Sequence, residues 1–136
     1  QNLDFIAESL QDEDPIIRYW GAVGCCILQK QAEPLKASLL EKLNDSSLDV
    51  RIAASEALYW MDEKEIAKNT LREILQSDVY EKYGYWEAIR THALNVVTLM
   101  DDNDIKDFEP EIMQLVQADF GYDTRIAEYL LAEKLP

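Results

Sequence analysis

Four segments of this chain repeat one pattern around an arginine: Ile17-Arg18-Tyr19-Trp20-Gly21, Val50-Arg51-Ile52-Ala53-Ala54, Ile89-Arg90-Thr91-His92-Ala93 and Thr124-Arg125-Ile126-Ala127. The arginines stand 33, 39 and 35 residues apart. A period of that size restricts the chain to a stack of small supersecondary units, none of which buries its apolar face alone. Six positions before each arginine lie Asp12, Asp45, Gly84 and Asp119, so the third unit departs from the pattern.

The segment after each arginine has helical periodicity. Ile17, Gly21, Gly24 and Leu28 fall on one face, as do Val50, Ala54, Ala57 and Met61, and Ile89, Ala93, Val96 and Met100. This face is expected to stack repeat on repeat. Its small residues let helix axes approach toward the close end of the usual 8–10 Å, roughly. A glycine inside a helix costs about 1 kcal/mol, and close packing would offset it. A second helix precedes each of these: Leu3 to Leu10, Leu35 to Leu43 with Pro34 in its first turn, Ile66 to Leu75, and Glu111 to Val116 after Pro110. The links are short and polar, at Gln11–Asp14, Asn44–Ser47, Asp62–Lys64 and Asp101–Asp104. Asp14 before Pro15, and Ser47 or Ser46, read as helix N-caps.

The expectation is an all-α, right-handed α-solenoid of about four helix pairs in one domain. Its units run approximately over residues 1–30, 31–62, 63–101 and 102–136. Composition agrees, since 4 Gly and 4 Pro in 136 residues are too few for a turn-rich β fold. No apolar run is long enough to span a membrane. The net charge of −14 repels phosphate backbones, which argues against a nucleic acid partner. Gln1 at the start and the absence of a leader read as a mature or excised piece.

These residues resemble HEAT-type helical repeats across the whole chain: an aspartate, then Val/Ile-Arg, then small residues and a Leu or Met. The resemblance implies a structural ladder in which the aspartate takes hydrogen bonds at the turn and the arginine bridges to a neighbouring unit. It assigns Asp12, Asp45 and Asp119 to one side and Arg18, Arg51, Arg90 and Arg125 to the other, with Gly84 breaking the third step. The order of Asp14-to-Ala22, Val50-to-Leu58, Ala93-Leu94-Asn95 and Arg125-to-Leu131 is also similar to the C-terminal repeat region of some bacterial sulfatases. That implies a non-catalytic accessory domain packed on a catalytic domain, with a periplasmic or extracellular location. The Cys/Ser-x-Pro-x-Arg stretch that a sulfatase needs is missing around Cys25-Cys26.

Chemistry is sparse. One histidine, His92, and two adjacent cysteines two repeats away give neither a zinc set nor a nucleophilic triad. The cysteines read as buried thiols. Asp101-Asp102-Asn103-Asp104 opens like a calcium loop, but Asp107 and Met113 stand where the loop needs Gly and Glu, so it reads as a helix cap. No glycine-rich phosphate loop exists. No catalytic residue, metal or cofactor is expected.

Two features point to contact instead. Tyr80 to Trp86 holds four aromatics, among them Tyr83, Tyr85 and Trp86, where the spacing lengthens. It either covers an edge of the solenoid or meets another domain or a sugar. Along the arginine helices, Tyr19, Trp20, Val23, Ile27, Ile52, Tyr59, Trp60, Leu94 and Leu99 form an apolar strip where water would favour polar residues. The strip is either covered by the first helices of each pair, docked on another domain, or used in weak self-association. The function read from the sequence is a scaffold or protein-interaction domain. A free-standing adaptor, or less directly a repeat protein acting on a bilin, are the alternatives.

Overall fold

In a computed structural model residues 2–76, 85–118 and 121–135 are described, and every regular element among them is helical. They form two compact units, Gln1–Leu71 and Arg72–Pro136.

The first unit holds α1 (Asn2–Leu10), α2 (Pro15–Leu28), a 3-10 segment (Gln29–Leu35), α3 (Lys36–Lys42), α4 (Leu48–Trp60) and most of α5 (Lys64–Gln76). Its arginine helices begin where the caps direct. The Asp14 carboxylate accepts from the Ile16 N–H at 2.8 Å, and Pro15 fills the first helical position. The Ser47 hydroxyl accepts from the Val50 N–H at 3.4 Å. The expected Leu35–Leu43 helix is shorter than the sequence suggests. Residues 29–35 wind as a 3-10 helix, and the α-helix starts only at Lys36. Pro34 has no N–H to donate and restrains the residue before it, which favours the tighter winding there.

α2 packs on α1 and on α4, and α3 packs on α4. The small residues of α2 have a different use from the expected one. A Cβ on Gly21 would lie 3.0 Å from the Leu10 backbone nitrogen, and one on Gly24 would lie 3.2 Å from Cδ1 of Ile6. Both glycines therefore bring α2 close to α1, inside the hairpin. The hairpin-to-hairpin contact uses another side of α2, the one from which Arg18 reaches Asp45.

The second unit holds α6 (Trp86–Thr98), α7 (Asp102–Lys106), α8 (Glu109–Ala118) and α9 (Gly121–Glu133), with the end of α5. α9 packs on α8 and on α6. Ile89, Ala93, Val97, Ile105, Phe108, Ile112 and Leu130 form its core. Each larger one contributes about 1.5–3 kcal/mol of burial. Asp101 stands at the N-cap position of α7, so the acidic run 101–104 starts a short helix where a link was expected. At the end of α5, Arg72 donates to the Asp107 carbonyl at 3.2 Å and its guanidinium lies 5.5 Å from the centre of the Phe108 ring. Among the described residues no helix is long and apolar enough to cross a membrane.

Candidate functional site

Two arginines, Arg18 and Arg90, each join one repeat to the next. Arg18, early in α2, forks onto Asp45 in the turn before α4. Its Nε donates to Oδ2 at 2.8 Å and its Nη2 to Oδ1 at 2.9 Å. Its remaining Nη1 donates to the Asp12 and Glu13 carbonyls of its own turn, each at 2.9 Å. Two parallel charge-assisted bonds fix orientation as well as distance. The pair is nearly out of water, at 12% and 5% side-chain exposure.

Burial alone would raise the Asp45 pKa. The Arg18 hydrogen bonds and the Ser47 N–H outweigh it, so the carboxyl is held below the usual carboxylate value. The hydrogen bonds that Arg18 donates to Asp45 likewise raise the Arg18 pKa, against its own desolvation. Arg51 donates through Nε to the carbonyl of Asp45, the same own-turn contact that Arg18 makes with Asp12.

In the second unit Arg90 donates to Asp123 at 3.0 Å, with the aspartate side chain almost fully buried. The aspartate expected by position, Asp119, lies outside the described residues, as do Gly84 and Tyr83. The repeat pattern does not single out Asp123, which stands four residues past the repeat position. A carboxylate in the first turn of α9, where the helix dipole favours a negative charge, was the available signal. Trp86 stacks on the Arg90 guanidinium at 3.4 Å from the ring centre and is half-buried, while Tyr85 is exposed. Arg125 is exposed on α9.

The expected apolar strip does not survive as one surface. Ile52, Tyr59 and Leu94 are buried by this chain's own atoms and are unavailable to a partner. α4 buries Val50, Ile52, Ala53, Ala54, Ser55, Ala57, Leu58 and Tyr59, which is most of its circumference, and such a helix belongs inside a core. Tyr59 carries Trp60 edge-on at 5.0 Å between ring centres, and Trp60 remains half-exposed. Tyr19 is half-buried against Trp20 at 5.3 Å. What stays open is local. Trp20 and Ile27 stand out from α2, and Leu99 and Tyr129 project into a groove of about 470 Å³ between α6 and α9, also lined by Asn95, Thr98, Arg125 and Ile126.

Reactive chemistry is muted. Burial pushes the Cys25 thiol up to about 11. Cys26 rises to about 12 through burial and the neighbouring Glu56 carboxylate. Both are free thiols. Among the described residues no three of His, Cys, Asp and Glu are placed to hold a metal ion. Asp102 is engaged by Lys134 at 3.0 Å, and His92 is half-buried on α6.

The family model for HEAT repeats matches residues 3–90. This chain belongs to the HEAT-repeat family. No curated protein and no solved structure matches it. The arginine–aspartate joints of this HEAT domain thus sit in a family of helical-repeat scaffolds, and such repeats commonly mediate protein contacts.

Proposed function

We propose that this HEAT domain is a non-catalytic scaffold of four helix pairs in a right-handed solenoid, acting by shape and apolar contact on a protein partner. In this reading Arg18, Arg51, Arg90 and Arg125 with Asp12, Asp45 and Asp119 form the structural ladder. Tyr19, Trp20, Trp60, Tyr85 and Trp86 serve contact. The observation that carries the reading is the α6–α9 groove, where Leu99 and Tyr129 are each more than half exposed. Apolar side chains gathered in a concave surface favour a protein surface over water.

The partner proposed is a sulfatase-like catalytic domain of the same gene product, supported by the order of repeat segments. Two measurements test this. The coding region is expected to specify a catalytic domain with a Cys/Ser-x-Pro-x-Arg stretch, and its absence would reject the accessory role. Amide exchange over residues 95–99 and 125–130 is expected to slow in the whole gene product relative to this chain alone. Equal exchange would reject docking at the groove.

A further inference from the structure

The turn that carries Asp12 is built like the turn that carries Asp45. Asp12 Oδ1 accepts from the Asp14 N–H at 2.8 Å, and Asp45 Oδ1 accepts from the Ser47 N–H at 2.9 Å. Arg18 donates to the Asp12 carbonyl as Arg51 donates to the Asp45 carbonyl. The two differ in one respect. Asp45 also takes the guanidinium fork of the preceding repeat, whereas the Asp12 carboxylate takes no such fork among the described residues.

The helix beside each turn differs in the same sense. The 33-residue offset that aligns Arg18 with Arg51 pairs Ile17 with Val50 and Trp20 with Ala53. α4 packs on both α2 and α3, and in it Val50 and Ala53 are 0% and 2% exposed. In α2, Ile17 and Trp20 are 41% and 62% exposed. Ile27 and Phe5, 77% and 73% exposed, line a hollow of about 290 Å³ with Ile6, Gly24 and Leu28. So a position that is covered in α4, at Ala53, is open in α2, at Trp20.

We propose that this open face of α2, with Asp12 at its edge, seats a further HEAT-type helical hairpin whose arginine forks onto Asp12 as Arg18 forks onto Asp45. The interface continues one already formed in the domain, that of α2 on α4. The charge is complementary, since a guanidinium meets a carboxylate already oriented by its own turn on a chain of net charge −14. Phe5, Trp20 and Ile27 supply the apolar anchors. The inference deepens the interaction reading and uses a surface separate from the α6–α9 groove, so either can fail alone.

The test extends the intact chain by a copy of its own residues 1–30 joined ahead of Gln1, so that the added Arg18 is in reach of the original Asp12. Exchange of the amides in the original residues 15–28 is expected to slow at least tenfold. Asp12→Asn is expected to reverse much of that slowing and to lower the urea midpoint of the extended chain more than that of the unextended one, because an Asn oxygen still accepts from the Asp14 N–H while the fork is lost. A second extension, with residues 31–62 ahead of Gln1, guards against an added copy that fails to fold. Unslowed exchange in both extended chains overturns the proposal. So does a concentration-dependent dimer of the unextended chain that Ile27→Lys abolishes, since a second copy would then be the occupant.

Discussion

Arg18 and Asp45 meet across a repeat boundary through two parallel hydrogen bonds of 2.8 and 2.9 Å. The same guanidinium also closes its own turn on the carbonyls of Asp12 and Glu13. One side chain thus ties the start of α2 to its own hairpin and to the next. Replacing it with lysine keeps the charge and loses the fork. Arg18→Lys is expected to destabilise by about 1–2 kcal/mol and Arg18→Ala by about 2–4 kcal/mol in urea unfolding. Equal midpoints for the lysine variant and the native chain would mean that the fork geometry is immaterial.

The joint also has a pH signature. Asp45 is held below its ordinary value of 3.8 in the folded chain. Its contribution to stability is therefore fully present above the unfolded value, about 4, and is lost as pH falls through the folded one. Unfolding free energy measured from pH 7 to pH 2 is expected to fall less steeply below pH 4 in Asp45→Asn than in the native chain. Parallel curves would place the acid sensitivity elsewhere.

The two glycines of α2 separate close packing from helix propensity. At Gly21 a methyl would press on the Leu10 backbone at 3.0 Å, which has nowhere to move, so Gly21→Ala is expected to cost about 1–3 kcal/mol. At Gly24 the methyl meets only the tip of Ile6, a side chain able to turn aside. Gly24→Ala is expected to be neutral or to gain up to about 1 kcal/mol. Thermal unfolding of the two variants checks the order, and a larger loss at Gly24 would contradict the packing described.

Much of the fold was legible because local chemistry dictated it. Asp14-Pro15 and Ser47 start helices wherever they stand before an apolar period, and the repeated arginines set the number of residues per unit. What was not legible depended on neighbours. A helical wheel places Gly21 and Gly24 on one face but cannot say whether that face meets α1 or α4. Ile52 and Tyr59 read as an outer strip only if the wheel of α4 has a wet side, and the chain buries both. Arg90 reads as a ladder residue, and among the described residues it pairs with Asp123, one helical turn beyond the repeat position.

The thiols report on burial. With values near 11 and 12, Cys25 and Cys26 hold almost no thiolate at pH 8, against roughly a quarter for a thiol of pKa about 8.5. Alkylation of the folded chain by iodoacetamide at pH 8 is expected to be at least about a hundredfold slower than in urea. Glu56→Gln is expected to speed Cys26 and leave Cys25 unchanged, since Glu56 raises only the former. Equal rates folded and unfolded would contradict the placement of both thiols.

The claim on which the rest turns is that an arginine of one repeat and an aspartate of the next act as a single unit. A double-mutant cycle on Arg18→Ala and Asp45→Ala, read by urea unfolding of the full chain, measures it directly. The expected coupling is about 1.5 kcal/mol or more, with the double variant little worse than either single one. Losses that add to within about 0.5 kcal/mol would mean that the two side chains stabilise the domain independently and that no ladder joins the hairpins.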